Sequence, residues 1–146
     1  MKYFFSIISI SLALIATEAH SRDTKHFFSV KSVFDNPKYQ EHITPSVKMF
    51  FGEEKPTQLV KIISTKELTN KKTNAFLKSD QTACEWAFLS AIKQLQAQAQ
   101  SLGGNAVVNI ESYYKKDSFV SNDQYECHAG AVMAGVALRG DVVVIE

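Results

Sequence analysis

Apolar residues are distributed along this chain in three distinct patterns. Near the start, residues 3–16 (YFFSIISISLALIA) form an uncharged, mostly apolar run preceded by Lys2. In the middle, Cys84, Phe88, Ala91, Ile92, Leu95, Ala99 and Leu102 recur at spacings of three and four, which is one apolar stripe of an α-helix. Elsewhere the apolar residues come in short runs rich in β-branched side chains, the pattern of strands.

The stripe predicts a helix over residues 80–102. Ser79 or Asp80 supplies an N-cap oxygen for the orphan amides of its first turn. Gly103-Gly104 supplies a residue free to take positive φ and end it. Trp86 and Leu89 widen the stripe, and Lys93, Gln94, Gln96, Gln98 and Gln100 occupy the other face.

Residues 59–65 (LVKIIST) predict a strand, and residues 47–51 a shorter one ended by Gly52. The turn sequence Glu53-Glu54-Lys55-Pro56 between them suggests a hairpin. Residues 67–79 (ELTNKKTNAFLKS) are polar and basic and are expected to form a loop pinned to the core by Phe76 and Leu77. Two later strands are expected at residues 106–114 and 124–138, joined by the polar stretch 115–123 as a hairpin with a long loop. Gly130 and Gly135 suggest a bulge or a close approach of the helix to the sheet. Residues 141–145 form a final strand or a continuation. Residues 22–45, broken by Pro37 and Pro45, read as irregular apart from a helical turn around residues 29–34. These elements predict an α+β fold over residues 46–146, one long amphipathic helix packed on a mostly antiparallel sheet.

The N-terminal run is too short for a membrane span, which needs about 20 apolar residues, but it suits a signal-peptide core. Ala19-His20-Ser21 places small residues at −3 and −1 of a cut before Arg22, while Thr17-Glu18-Ala19 would direct the cut before His20. The expectation is a signal peptide over residues 1–21 and a periplasmic or secreted protein with no membrane anchor after cleavage. An uncleaved anchor or a buried N-terminal helix are the alternatives. Removing 21 of the 146 residues leaves 125, enough for one core and too few for two ordinary domains. The chain carries 16 Lys+Arg against 15 Asp+Glu, and cleavage removes Lys2 and Glu18 together, so the net charge stays at +1. That balance gives no long-range field to attract nucleic acid or an anionic membrane.

Export would place Cys84 and Cys127, the two cysteines of the chain, in an oxidising compartment, where they have one possible intramolecular pairing. Free buried thiols or metal ligation are the alternatives. As a disulfide, Cys84 in the first helical turn would reach Cys127 on a facing strand. Closing so long a loop is worth roughly 4 kcal/mol by chain entropy.

Three stretches carry a resemblance: residues 71–92 (KKTNAFLKSDQTACEWAFLSAI), 103–116 (GGNAVVNIESYYKK) and 125–143 (YECHAGAVMAGVALRGDVV). They resemble a family of small exported proteobacterial proteins of uncharacterised role, often labelled "excinuclease ATPase subunit". Position 128 departs from that pattern, with His where the family has Gly. No GxxxxGK[ST] phosphate loop accompanies the label here. More distantly, a helix running through Gly-Gly-Asn-Ala-Val-Val into a strand is similar to the YbjQ-like fold. The stress-sensing outer-membrane lipoprotein of the Rcs phosphorelay shares that fold, and its helix-to-strand disulfide is similar to a Cys84–Cys127 link. The lipid-attachment Cys and a second cysteine pair are missing here, so the resemblance implies fold rather than role.

Chemistry-bearing motifs are sparse. Beyond the leader the histidines are His26, His42 and His128, none in a nucleophile elbow or a metal-binding spacing. His128 follows Cys127 on a strand, so the two should face opposite sides, and His128 reads as a surface histidine. Gly103-Gly104-Asn105 follows a helix, where the partial charge is negative and repels anions, so it reads as a cap and not a phosphate loop. The lysines of residues 66–78 read as a solvated face, and Tyr113-Tyr114-Lys115-Lys116 as a strand end. No catalytic, cofactor or metal residue is assigned. The sequence points to a non-catalytic module that binds a protein or envelope component, with a small-ligand or metal-binding domain as the alternative.

Overall fold

The computed structural model describes residues 21–146, so all of the expected signal peptide except Ser21 lies outside the described residues. Strand β1 (Thr24–Ser29) leads into two short helices, α1 (Lys31–Phe34) and α2 (Pro37–Gln40). Strands β2 (Lys48–Phe51) and β3 (Leu59–Asn74) precede the long helix α3 (Asp80–Ser101). Strands β4 (Ala106–Tyr114), β5 (Asp117–Phe119), β6 (Gln124–Ala129) and β7 (Met133–Ile145) complete the chain. This is the expected α+β architecture, a seven-stranded and mostly antiparallel sheet with one long helix across it.

Helix α3 begins and ends as its sequence dictates. The Ser79 hydroxyl accepts a hydrogen bond from the Thr82 amide at 3.1 Å. At the other end Gly103 takes φ +85°, and the Gly104 amide turns back to donate to the Ala99 carbonyl at 2.8 Å. A Cβ on Gly104 would lie 2.5 Å from Val142 Cγ1, so this position has no room for a side chain.

The helix differs from expectation in having two covered faces. Cys84, Phe88, Ile92 and Leu95 join Tyr125, Cys127, Val136 and Leu138 in the core. On another side Gln96, expected among the polar face, is buried. It accepts from the Thr44 amide at 2.9 Å and donates to the carbonyls of Thr44 and Val47 at 2.9 and 3.0 Å. The segment following α2 therefore lies along the helix, held by one amide side chain that mimics a backbone partner.

Residues 22–45 are not irregular. β1 pairs antiparallel with β6 along its whole length, from Thr24 opposite Ala129 to Ser29 opposite Gln124. The helical turn expected near residues 29–34 is present as α1, with Val33 buried beneath it.

The expected hairpin of β2 with β3 does not form. β2 pairs in parallel with β4, Lys48 opposite Ala106, so β3 and α3 together make the crossover that a parallel pair requires. β3 instead runs antiparallel to β7 from Leu59 opposite Ile145 to Asn74 opposite Met133. The expected loop at residues 67–79 is thus strand as far as Asn74. Only Thr69 of β3 is buried, and the backbone ladder with β7 holds the polar part of this strand without help from a hydrophobic face.

The long apolar run after residue 124 is two strands. Gly130 closes the turn between β6 and β7, its amide donating to the Met133 carbonyl at 2.8 Å. Gly135 meets the Tyr114 ring on the outer face of the sheet, not the helix. Lys115 and Lys116 both adopt positive φ, at 50° and 67°, in the two-residue turn that joins Tyr114 to its partner Asp117. That turn and β5 account for part of the expected polar connection. The expected long-loop hairpin is replaced, since β4 turns back into β5 and ladders with β7 while β6 ladders with β1 and β7.

Candidate functional site

Cys84 and Cys127 form the disulfide, with Cα atoms 5.8 Å apart and both residues fully buried. It joins the N-terminal part of α3, at its fifth residue, to the middle of β6 beneath the helix, a closed position with bracing as its chemistry.

The three histidines occupy three different settings. His42 lies near the Trp86 ring, 5.9 Å between centroids, with Glu41 Oε1 3.4 Å from its Nε2. His26 Nε2 is 2.8 Å from Asp80 Oδ2. Arg22 donates to both oxygens of the same carboxylate at 2.7 and 2.9 Å. Hydrogen bonds from Arg22 and then His26 hold the Asp80 carboxyl down at about 2, against the partial burial that opposes them. Asp80 sits at the start of α3, where a negative charge also suits the helix end.

His128 does face away from Cys127, yet it is not a surface side chain, being 11% exposed. Its Nε2 lies 2.6 Å from Glu126 Oε1 and its Nδ1 3.1 Å from Asp23 Oδ1. Its ring stacks on Tyr114 with centroids 3.7 Å apart and planes 10° from parallel. Lys25 approaches Glu126 at 3.8 Å and Lys115 approaches Asp23 at 3.6 Å. Burial raises the Asp23 carboxyl, but the His128 hydrogen bond and charge, then Lys115, outweigh it and the net direction is down. A carboxylate oxygen thus lies within hydrogen-bond distance of each ring nitrogen. Both ring nitrogens are engaged by carboxylates, and the cluster acts as a clamp between the start of β1 and β6.

A second buried polar group lies under the N-terminal segment. Tyr39 donates to Glu85 Oε2 at 2.8 Å, and Gln81 donates to Glu85 Oε1 at 3.1 Å. Burial, then Glu85, raises the Tyr39 hydroxyl, and burial, then Glu85, raises that of Tyr125. Both phenols stay protonated. Among the described residues no group of three or more His, Cys, Asp or Glu side chains is placed to hold a metal ion.

Two concave regions flank the β1–β6 ribbon at opposite ends. At the Ser29 end, a groove of about 640 Å³ is floored by Val30, Phe34, Met49 and Phe51 and rimmed by Lys31, Glu54, Asn122 and Asp123. The floor is rigid. Phe34 packs edge-on against Phe51 and Phe88, at 5.9 and 6.3 Å between centroids, and Phe88 stacks on Tyr125 at 3.9 Å. Gly52, at φ +61°, lets the chain turn beside Asn122, whose Oδ1 would lie 2.3 Å from a Cβ there. Glu54 Oε2 accepts from the Phe51 amide at 3.3 Å, and Asp123 Oδ1 accepts from the Ser121 hydroxyl at 2.9 Å. Among the described residues the second oxygen of each carboxylate has no hydrogen-bond partner. Sequence reading missed this groove because its floor is assembled from α1, β2 and the approach to β6. The one local hint was the aromatic density of residues 27–34 and 50–51.

At the Thr24 end, a groove of about 570 Å³ is lined by Arg22, Asp23, Lys72, Tyr114, His128 and the β6–β7 turn. The lysines of residues 66–78 thus belong partly to this groove and partly to the edge strand β3. Tyr113, for its part, lies under the Arg139 guanidinium at 3.8 Å, and Arg139 is bonded to Glu111.

No family model, curated protein or solved structure matches this chain.

Proposed function

We propose that the protein is an exported, non-catalytic binding module that holds a protein or envelope component in the groove between α1, β2 and the start of β6. The observation that carries this reading is the groove itself, an aromatic and thioether floor with two carboxylates at the rim. The aliphatic stem of a basic side chain lies on Phe34, Met49 and Phe51 while its cationic head meets Glu54 and Asp123. The apolar run before residue 17 and a fully buried disulfide support export, because such bonds persist in oxidising compartments. The engaged nitrogens of His128 support a structural use of that residue over a catalytic one.

The test is affinity capture from an envelope fraction with the native chain and a Phe34→Glu, Glu54→Lys variant of matched thermal stability. A species retained by the native chain and lost by the variant supports the reading. Equal recovery by both, or none by either, overturns it. The volume of the groove also suits a small ligand, since such sites span about 300–1,000 Å³. Native mass spectrometry of the freshly purified protein distinguishes that second reading by an adduct that the same variant lacks.

A further inference from the structure

The end of the molecule opposite the proposed recognition groove exposes apolar side chains that nothing in the fold requires to be exposed. The β3–α3 loop presents Phe76 and Leu77, 60% and 90% exposed, and the adjacent β6–β7 turn presents Val132 and Met133, 57% and 45% exposed. The two loops are tied together by the Ala75 amide, which donates to the Val132 carbonyl at 2.7 Å. Leu77 adopts φ +58°, a left-handed conformation that a leucine enters at a cost, and it carries its side chain almost wholly into solvent. The expectation that Phe76 and Leu77 pin this segment to the core is therefore wrong. They point outward, and the loop is fixed instead by Asn74, whose Oδ1 accepts from the Phe76 amide at 2.8 Å.

The charge around this tip is basic. Lys72 and Lys78 form no ion pair with any described residue. The two nearby carboxylates are occupied, Asp80 by Arg22 and His26, and Asp23 by His128 and Lys115. The chain also enters the domain here. Arg22 donates to the Gly130 carbonyl at 2.8 Å, which fastens the start of the described residues beside the exposed tip.

We propose that this tip docks the domain on an anionic phospholipid bilayer. Phe76 and Leu77 enter the boundary of the acyl region, Val132 and Met133 lie beside them, and lipid phosphates rest against Lys72 and Lys78. Exposed apolar side chains flanked by two lysines free of ion pairs, one of them donating to the Asn74 carbonyl at 3.0 Å, suit interfacial binding, since apolar burial and attraction to anionic headgroups act together. Among the described residues no helix is long and apolar enough to cross a membrane, so the docking is peripheral. It leaves the groove at the Ser29 end of the ribbon facing away from the lipid.

Vesicle flotation tests this, using the protein as purified from the producing cell, with its N-terminus read by mass spectrometry. Vesicles of phosphatidylglycerol with phosphatidylethanolamine should carry the native chain, and phosphatidylcholine vesicles should carry much less. A Phe76→Ser, Leu77→Ser variant that melts like the native chain should lose at least about tenfold in partitioning. A Lys72→Glu, Lys78→Glu variant should also lose binding and show less salt dependence. A Phe76→Trp variant should shift its emission to the blue on the anionic vesicles. Equal flotation of native chain and serine variant, or an emission unchanged by lipid, overturns the proposal. So does a concentration-dependent dimer that the serine substitutions abolish without any flotation, which would assign the tip to a second copy. A Phe34→Glu variant should float normally, so failure of the groove reading and failure of this one are separable.

Discussion

Cys127 and His128 are consecutive residues of β6 with opposite tasks, one bonded to Cys84 beneath α3 and the other clamped between Asp23 and Glu126 on the outer face. One strand thus fastens the helix on one side of the sheet and β1 on the other. Both fastenings join segments far apart in the chain, 43 residues for the disulfide and 105 for the His128–Asp23 contact. β6 is the point through which the N-terminal segment, the helix and the sheet are coupled.

The disulfide closes a loop of 43 residues, so reduction should loosen the unfolded chain and lower stability by about 4 kcal/mol, less any relief of native strain. Urea unfolding of the native chain with and without reductant measures this as a drop in midpoint. A Cys84→Ala, Cys127→Ala variant should match the reduced protein to within about 1 kcal/mol and be insensitive to reductant.

Gln96 makes three hydrogen bonds to the backbone of the segment following α2. Gln96→Leu fills a similar volume but leaves the Thr44 amide and two carbonyls without their partner, at a cost of about 2–4 kcal/mol. Hydrogen exchange should show the Thr44 amide losing protection in this variant, well ahead of the amides of β4 and β7.

Acid stability should depend on Asp80. Its folded-state value is held at about 2, below the unfolded reference of about 3.9. A depressed carboxyl contributes stability above its unfolded value and loses that contribution as pH falls through the folded one. Stability should therefore decline as pH drops from about 5 towards 2, and Asp80→Asn should flatten that limb. Thermal melts of both proteins across this range check the sign.

Much of this architecture is legible locally. The stripe of α3, its Ser79 cap and Gly103 stop, and the span of β4 follow from short-range pattern, and the structure reproduces them except at Leu102, which lies at the C-cap, exposed. Other features depend on partners that no local pattern encodes. β1 reads as irregular because its burial alternates weakly and Phe27 faces outward, against Phe119 at 4.5 Å. The polar half of β3 reads as a loop because an edge strand is held by the β7 backbone, which asks little of its side chains. The burial of Gln96 and the clamp at His128 each rest on contacts with distant segments. A glutamine on a helix, or a histidine beside a cysteine, gives no sign of them.

Glu126 is 4% exposed. Its carboxylate is stabilised by His128 at 2.6 Å and more weakly by Lys25 at 3.8 Å. His128→Phe keeps the stacking on Tyr114 but leaves a buried carboxylate with one distant and half-exposed cation. Leaving a buried acceptor without its partner costs about 1–3 kcal/mol. Adding Glu126→Gln should recover a large part of the loss, because the unpaired charge is removed. A double-mutant cycle by urea unfolding gives the coupling directly. Recovery would show that His128 serves Glu126, whereas additive losses would mean that its packing on Tyr114 carries the stability.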